Sequence, residues 1–550
     1  MKSYWITFYS YKGGVGRTLA LANIGALLAR NGRRVVLIDF DLEAPGLDSF
    51  KAFEKTKGKD GVVEYVSQFI HSHKAPKIED YVYPCTLEKN VRGKLWVMPA
   101  GKKDSAYNRK RSDIPWSELF ESGIGQPFIE NWKAAIEQAY QPDYVLVDSR
   151  TGLTDVGGIC TLGFPNLVVM LFSLNEQNLQ GTAAVAKALG KADPERIPQI
   201  CYVATPLPNL TADTSPLIAS RFQEASKVLG KPIDSTISYY SAAALEEKLF
   251  VLMEEQPRPK IIDDYQTLIK KVTQYNRTGI EFLTEQVDEA CKNPNDERID
   301  RLISLLEREF QQSPDGKFQL SRLYAARREI NKALQFAEEC LELDPTYKPA
   351  FDFLQGQLQS KKNYQKLIEL IAAIEPEHVQ LGGERLVMLM LVKGQTYMAL
   401  NKAAEASVAF SRAHETNSKS KTVTIHSLPC LFNVAESKRR LTQKVDKEAW
   451  SQTVRVFVDS GAASSAPSPT QANQLQAMHI PYALHGQLQK ANELLIKAQK
   501  AAESVGEIDD IFCVIDYQFN PKSVFLDHNK RMLDALDRGE LWDGMKLPKT

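Results

Sequence analysis

Short apolar runs alternate with amphipathic helical stretches along the first half of the chain, from residue 1 to about residue 275. Runs of this kind are typical of a parallel sheet that helices cover on both faces, because its strands are buried on both sides. The segment at residues 51–141 is too long for a simple crossover, so we expect extra helices and a lid or a partner surface there. The pattern predicts strands at residues 5–10, 34–39, 95–99, 144–148, 167–172, 199–204 and 236–240.

Apolar positions at helical spacing replace these short runs in the second half of the chain. One apolar stripe predicts a helical linker at residues 276–312, behind an α/β domain at residues 1–275. We expect residues 313–518 to form an all-α region of helical repeats, with a flexible loop at 459–471 where Ser, Ala and Pro are frequent. Residues 519–550 form a C-terminal tail to which the pattern assigns no role.

The helical half repeats an arrangement of tyrosines and small residues. One interval between a tyrosine and an alanine occurs three times, from Tyr324 to Ala333, from Tyr397 to Ala406 and from Tyr482 to Ala491. Further small or apolar residues follow the alanines, namely Cys340, Phe410, Ala413, Leu495 and Ala498. The arrangement resembles the tetratricopeptide pattern, in which the aromatic fills the groove between two helices and the small residues let them approach closely. Chance agreement of three helical stripes is the alternative.

Two prolines mark expected helix ends in this region. Pro345 lies where the tetratricopeptide pattern ends a second helix. Residues 346–377 also predict a helix pair, which Pro376 closes and which lacks the small residues.

Composition excludes several classes of protein. Lys plus Arg and Asp plus Glu both number 68, so the overall charge does not favour binding to nucleic acid or to an anionic membrane. No apolar stretch reaches the length of a membrane span or a secretory signal. The seven cysteines are scattered without a CxxC pair, as expected of reduced, mostly buried thiols. We expect a cytoplasmic protein that binds no membrane and no nucleic acid.

A glycine-rich stretch follows the first predicted strand and opens the first predicted helix. Residues 12–18 read KGGVGRT. Backbone N–H groups in such a loop can turn toward an anion, and the helix N-terminus adds partial positive charge, so together they can bind phosphate. A glycine turn without a nucleotide is the alternative. The residues expected to bind a nucleotide here are Gly13, Gly14, Val15, Gly16, Arg17 and Thr18.

Two later strands end in carboxylates. Residues 35–43 read VVLIDFDLE, and alternation along the strand places Asp39 and Asp41 on one side. Asp148 ends the strand at residues 144–148. A solvated acidic turn is the alternative for the first pair.

Together these motifs resemble the deviant Walker A class of P-loop ATPases, the ParA and MinD type, whose fingerprint is KGG-x-GK-[ST]. The resemblance implies an α/β P-loop fold, ATP and Mg²⁺ as ligands, and a homodimer in which Lys12 reaches the partner's nucleotide. It also implies that Asp41 orients the attacking water, and that Thr18, Asp39 and Asp148 belong to the metal site. Lys12 serving only its own subunit is the alternative.

This sequence departs from the class at two places. Arg17 stands where the class has lysine, and its planar guanidinium cannot imitate a compact ammonium, so we expect ATP binding with slow hydrolysis. The chain resembles a branch with the sequence KGGVGR, often joined to repeat or effector domains in bacteria. Thr205 and Pro206 lie where the class contacts adenine, but the usual asparagine is missing. Arg150 could sense phosphate or form a simple salt bridge.

Two functions agree with these features. The first is an ATP-dependent dimeric switch that controls a protein partner through its tetratricopeptide-like arm, in a bacterial signalling or antiviral-defence system. The second is a scaffold that holds nucleotide without hydrolysing it and acts by binding protein through the repeats.

Overall fold

The fold of the chain is given by a computed structural model. It divides into two compact units, Met1–Leu305 and Leu306–Thr550, and the division falls inside the helix Arg298–Glu309. The domain limits expected from the sequence stay predictions. The structure describes residues 2–87, 91–152, 155–192, 197–208, 214–253, 257–293, 297–400, 402–416, 431–432, 435–436, 439, 447–459, 468–505, 512–513, 519–520, 522–541 and 543–547.

The first unit is built on a sheet of eight strands within the described ranges. These strands are β1 (Tyr4–Tyr9), β2 (Arg34–Asp39), β3 (Tyr83–Cys85), β4 (Lys94–Met98), β5 (Tyr144–Asp148), β6 (Leu167–Phe172), β7 (Gln199–Leu207) and β8 (Ser235–Ser238). Their order is β3-β4-β2-β5-β1-β6-β7-β8. All neighbours pair in parallel except β3, which runs antiparallel to β4 at one edge.

Helices cover both faces of this sheet. The helices described between residues 1 and 309 are α1 (Arg17–Arg30), α2 (Val62–Ser72), α3 (Tyr107–Ser112), α4 (Trp116–Glu121), α5 (Gly125–Tyr140), α6 (Asp155–Gly158), α7 (Glu176–Leu189), α8 (Thr214–Leu229), α9 (Lys260–Tyr275), α10 (Ile280–Ala290) and α11 (Arg298–Glu309). Shorter turns of 3₁₀ helix lie at Leu47–Ser49, Lys51–Thr56, Ile78–Asp80, Ser241–Ala244 and Phe250–Leu252, and a π turn lies at Ile159–Gly163.

Strand β2 shows how the two faces are filled. Val35 and Leu37 pack with residues of α1 and α9, whereas Val36 and Ile38 pack with residues of α2 and α5. Because side chains alternate between two buried faces, the strand reads as a continuous apolar run. The predicted fold class, a mostly parallel sheet with helices on both faces, is confirmed.

The observed strands differ from the predicted ones in detail. Three have the predicted limits, β2, β5 and β6, and β7 continues beyond the predicted residue 204 to Leu207. The short edge strand β3 was not predicted, because three half-exposed residues give no apolar run. Strands β3 and β4 both come from residues 51–141, so this segment forms part of the sheet in addition to carrying α2 to α5.

The second unit is largely helical, as predicted. Its helices are α12 (Pro314–Ala326), α13 (Ile330–Leu343), α14 (Lys348–Ser360), α15 (Tyr364–Leu381), α16 (Gly383–Ala399), α17 (Ala403–Thr416), α18 (Lys447–Asp459), α19 (Pro469–Leu484), α20 (Leu488–Glu503) and α21 (Lys522–Asp537). Two very short strands, β9 (Phe512–Cys513) and β10 (Phe519–Asn520), add an antiparallel ladder that the sequence pattern did not indicate.

Three helix pairs, α12 with α13, α16 with α17 and α19 with α20, carry the repeated residues in equivalent places. In each pair the carbonyl of the tyrosine accepts a hydrogen bond from the residue just before the second helix. The three N···O distances are 2.9 Å, from Glu329 to Tyr324, Lys402 to Tyr397 and Gln487 to Tyr482. The small and apolar residues that follow are all 0% exposed: Ala333, Cys340, Ala406, Phe410, Ala413, Ala491, Leu495 and Ala498. The sequence intervals therefore correspond to one repeated packing arrangement.

The intervening pair α14 and α15 keeps this register with larger side chains. Asn363 N–H donates to the carbonyl of Leu358 at 2.8 Å, and Leu367 takes the place of the first alanine and is 0% exposed. The prediction that Pro376 closes this pair is wrong, because Pro376 lies inside α15. A proline removes one helical hydrogen bond, and the flanking turns continue the helix here.

The loop expected at residues 459–471 is shorter than predicted at its carboxyl end. Ser468 accepts a hydrogen bond from Gln471 N–H at 3.1 Å and caps α19, which begins at Pro469. Proline suits this first helical position because no intrahelical partner is needed for its nitrogen. The rest of the loop, residues 460–467, lies outside the described residues. In the expected tail, residues 519–520, 522–541 and 543–547 are described.

Candidate functional site

The glycine-rich loop lies between the end of β1 and the start of α1. Gly14 and Gly16 have φ angles of 80° and 77°, a region that favours glycine. A Cβ atom added at Gly13, Gly14 or Gly16 would meet no heavy atom within 4 Å. Gly16 is also the N-cap of α1 and supplies no side-chain hydrogen bond to the first turn. The loop therefore has open space beside three of its glycines and leads into a helix start without a side-chain cap, where N–H groups have no intrahelical partner and an anion can bind.

Three carboxylates meet beside this loop. Asp39 and Asp148 lie opposite each other at the carboxyl ends of β2 and β5, and Asp41 follows two residues after Asp39. All three are buried. The Thr18 hydroxyl donates to Asp148 Oδ2 at 2.6 Å, which connects the first turn of α1 to the carboxylates.

Arg17 forms ion pairs with two of these carboxylates. Its Nε is 2.5 Å from Asp148 Oδ1 and its Nη2 is 2.5 Å from Asp41 Oδ2. The guanidinium side chain is 7% exposed. Burial alone lowers the pKa of Arg17, but the adjacent Asp148 and Asp41 raise it above its ordinary value. The guanidinium therefore stays charged and connects the ends of two strands.

Asp39 has an incomplete set of partners. Its Oδ2 accepts a hydrogen bond from Leu47 N–H at 3.1 Å, while its Oδ1 is buried without a hydrogen-bond partner. Burial, and secondly the nearby charge of Asp148, raise the pKa of Asp39 to about 8. A buried carboxylate oxygen without a donor is the kind of atom that a bound cation, or a water in its shell, would satisfy.

The donor set fits magnesium held together with a nucleotide better than a free metal ion. Within the described ranges no group of three His, Cys, Asp or Glu side chains is arranged to hold a metal on its own. Magnesium usually keeps several waters and takes one or two protein oxygens in addition to phosphate oxygens. The Thr18 hydroxyl and the Asp148 carboxylate could supply those protein oxygens, with Asp39 next to them.

The remaining predicted residues border the same site. Lys12 is half-buried in the loop, and its role across a dimer stays a prediction. Thr205, at the end of β7, donates from its hydroxyl to the carbonyl of Val15 at 3.3 Å, so β7 also contacts the loop. Pro206 follows Thr205 and is exposed. Adenine contact by Thr205 and Pro206 stays a prediction.

Arg150 and three residues that the sequence did not single out also lie near the site. Arg150, for which a phosphate contact and a salt bridge were both open, forms an ion pair with Glu43 at 2.6 Å. Lys103, Tyr107 and Arg111 approach the segment that follows Asp41. Their positive charge and aromatic character are visible in the sequence, but their partners are far away along the chain. Local patterns therefore gave no signal for them.

A separate groove of about 620 Å³ lies at the amino ends of the central strands, where β1, β6 and β7 begin. The glycine-rich loop follows the carboxyl end of β1, on the other side of the sheet. Tyr4, Lys133 and Gln199 are among its lining residues. Lys133 donates to the carbonyl of Phe164 at 3.1 Å, and burial lowers its pKa. The groove contains none of the predicted site residues. In the described part of the chain, every helix is too short or too polar to cross a membrane.

Comparison with known proteins gives one family and several partial relatives. The family described as "CobQ/CobB/MinD/ParA nucleotide binding domain" matches residues 6–538. The septum site-determining protein MinD of Synechocystis is 50% identical over 153 residues, which are 27% of this chain and 45% of that protein. The succinoglycan biosynthesis transport protein ExoP of Rhizobium meliloti is 31% identical over 133 residues, 24% of this chain and 14% of that protein. The chain thus spans less than half the length of these relatives.

Solved structures match about half of the chain. MinD of Pyrococcus horikoshii, determined in complex with Mg-ADP, is 19% identical with a TM-score of 0.38, and the match covers 51% of this chain and 98% of that one.

Proposed function

This chain belongs to the CobQ/CobB/MinD/ParA nucleotide-binding family, and from that membership we propose that it is an ATP-dependent molecular switch of the deviant Walker A type. The observation that carries the proposal is the meeting of an open glycine loop with the Thr18 hydroxyl and three buried carboxylates. A phosphate chain and its magnesium need that combination of donors and acceptors.

Each residue of the site has a role in this proposal. The N–H groups of residues 13–18 bind the phosphates, and Thr18 and Asp148 hold the metal with Asp39 beside it. Bound magnesium would neutralise charge on the phosphate oxygens. Asp41 orients the attacking water and accepts its proton. Lys12 reaches the nucleotide of a second copy, which makes the closed state a homodimer.

Arg17 is expected to keep turnover slow. Asp41 can act on water only when its carboxylate is free, yet Arg17 Nη2 is 2.5 Å from Asp41 Oδ2. A buried ion pair of this kind costs several kcal/mol to break when no other partner replaces it. Phosphate oxygens can replace the carboxylates as partners of the guanidinium. Nucleotide binding would therefore release Asp41.

The helical unit supplies the output in this proposal. Its repeated pairs share backbone register and buried small residues, which supports a tetratricopeptide-like array. Such arrays bind other proteins through extended surfaces. We place the protein in the bacterial cytoplasm, where its arm would control a protein partner in signalling or antiviral defence.

A second function is favoured by the same ion pairs. If Arg17 keeps both carboxylates when nucleotide is bound, the chain holds ATP without hydrolysing it and acts as a scaffold through its repeats. Measurement of ATP binding together with phosphate release separates the two functions.

Calorimetric titration with ATP in magnesium buffer, followed by a phosphate-release assay, tests the proposal. We expect wild-type protein to bind ATP and release phosphate slowly. Asp41→Asn should bind ATP with similar affinity and release phosphate about 100-fold more slowly, because a general base contributes at least that much. Equal release rates in both proteins would remove Asp41 from the mechanism. Absence of ATP binding by folded wild-type protein would refute the proposal as a whole.

A further inference from the structure

The segment that follows Asp41 is attached on its outer side to residues 101–112. We call residues 42–48 the switch loop and residues 101–112 the clamp segment. The Tyr107 hydroxyl donates to the carbonyl of Leu42 at 2.9 Å in a buried contact. Lys103 Nζ lies 2.7 Å from Asp48 Oδ1 and 3.2 Å from the carbonyl of Pro45. These three bonds hold both ends and the middle of the switch loop.

The inner side of the switch loop is attached to the carboxylates of the site. Leu47 N–H donates to Asp39 at 3.1 Å, and Ala44 N–H lies 3.4 Å from Asp41 Oδ1. A Cβ atom at Gly46 would come within 3.3 Å of the Thr18 methyl group, so the loop also passes close to the phosphate-binding turn. A shift of the loop would therefore change the position of Asp41.

Glu43 joins the clamp segment to the strand end that carries Asp148. Its carboxylate is 2.6 Å from Arg150 Nη2 and 3.2 Å from Arg111 Nη1. Glu43 is 44% exposed, so each pair is weak by itself. Together the two ion pairs connect the clamp segment and the start of the switch loop to the residues after β5.

The clamp segment is itself held firmly in place. Glu64 of α2 accepts hydrogen bonds from Gly61 N–H at 3.1 Å and Lys102 N–H at 3.3 Å, and it pairs with Lys110 at 3.4 Å. A Cβ atom at Gly101 would be 2.6 Å from Glu64 Oε2, so the backbone approaches this carboxylate closely. Tyr107 is 7% exposed. A fixed support of this kind can restrain a neighbouring loop.

We propose that Lys103 and Tyr107 are positioning residues that hold the switch loop so that Asp41 faces the phosphate-binding loop. The inference rests on the proposed ATPase function, because Asp41 is the group being positioned. It also assigns a specific role to part of residues 51–141, for which the sequence suggests only a lid or a partner surface. In the absence of these bonds the switch loop would sample more conformations, and the productive position of Asp41 would be less populated.

Two variants and two controls test this inference. Tyr107→Phe removes the hydroxyl and keeps the buried ring, and Lys103→Met removes the charge and keeps most of the side-chain length. Lys103→Arg should restore the charged contacts. Arg109→Gln is the matched control, because Arg109 is exposed on the same helix. Circular dichroism and thermal melting establish that each variant is folded.

Two measurements are made on each full-length variant. Hydrogen exchange of peptides covering residues 42–48, without nucleotide, should be about threefold to tenfold faster in Tyr107→Phe and Lys103→Met, because the first loses one hydrogen bond to the switch loop and the second loses two. In the phosphate-release assay, kcat should fall by a similar factor while KM for ATP changes less than about twofold. Lys103→Arg and Arg109→Gln should resemble wild type in both measurements.

The inference would be overturned if hydrogen exchange of residues 42–48 were unchanged in both folded variants. It would also be overturned if hydrogen exchange were faster while kcat stayed at the wild-type value. If wild-type protein releases no phosphate, the ATPase proposal fails separately, and the exchange measurement still decides whether these residues hold the loop.

Discussion

Arg17 combines two properties that the local sequence does not connect. As part of the glycine-rich loop it is expected to face phosphate, and in the folded chain it faces Asp41 and Asp148 at 2.5 Å each. The planar fork of a guanidinium can bind two carboxylates at once, whereas an ammonium is a single compact charge. An arginine at this position can therefore connect two strand ends before any ligand arrives.

The substitution Arg17→Lys tests whether the ion pairs of Arg17 with Asp41 and Asp148 limit turnover. Lysine keeps the charge but cannot hold both carboxylates in the same fork, so Asp41 should be freer. We expect phosphate release to rise by about 10-fold to 100-fold relative to wild type, because the loss of one charge-assisted hydrogen bond, about 1.5–3 kcal/mol, corresponds to a change of that size. A rate equal to or below that of wild type would show that Arg17 does not limit turnover.

Arg17→Met is the companion variant, because it removes the charge while keeping a long side chain. Leaving buried carboxylates without their partner should lower the free energy of unfolding by about 3–5 kcal/mol. Urea denaturation without nucleotide measures this loss. Arg17→Lys should lose less, and equal stability of Arg17→Met and wild type would contradict the buried ion pairs.

The repeated helix pairs show how far sequence intervals determine packing at the scale of elements. The equal intervals from Tyr324, Tyr397 and Tyr482 correspond to equal hydrogen bonds and to buried small residues. The pair α14 and α15 keeps the register although Leu358 and Leu367 replace tyrosine and alanine. The sequence predicts a helix pair at residues 346–377 but shows none of the small residues there, because this pair shares backbone register and burial with the others and not residue type.

Ala406→Leu tests the packing of one such pair. Ala406 is 0% exposed, and extra methyl groups in a filled site force neighbouring side chains out of position. We expect a loss of about 1–3 kcal/mol in the free energy of unfolding, measured by urea denaturation. Val408 is 70% exposed on the same helix, and Val408→Leu should change stability by less than about 0.5 kcal/mol. Equal effects of both substitutions would argue against a close helix contact at Ala406.

At the scale of the whole molecule, a unit built on a mostly parallel sheet is followed by a unit of paired helices. Family membership concerns nucleotide binding, and the use of the helical unit as an output arm remains our proposal. Equal numbers of acidic and basic residues leave no net charge to drive either unit toward nucleic acid. A switch of this design would depend on whether two copies associate around ATP.

Sedimentation velocity with Asp41→Asn protein, chosen to prevent ATP loss, tests that association. We expect dimers with ATP and magnesium and monomers with ADP. Adding Lys12→Ala should keep the protein monomeric with ATP, because Lys12 is half-buried in the loop and is the residue proposed to cross the interface. An ATP-dependent dimer that persists in the double variant would assign Lys12 to its own subunit.

The sequence alone was sufficient for the features that depend mainly on near neighbours along the chain. Strands buried on both faces appear as apolar runs, and a strand, a glycine turn and a helix in succession predict a phosphate loop. The carboxylates Asp39, Asp41 and Asp148 were found for the same reason, since each ends or follows such a strand. The tertiary structure alone decided the double ion pair of Arg17, the edge strand β3 and the attachment of the switch loop to Lys103 and Tyr107. Each of these features joins residues that are far apart in the chain. Such residues meet only because the sheet and the helices bring them together, and a local sequence pattern contains no information about that placement.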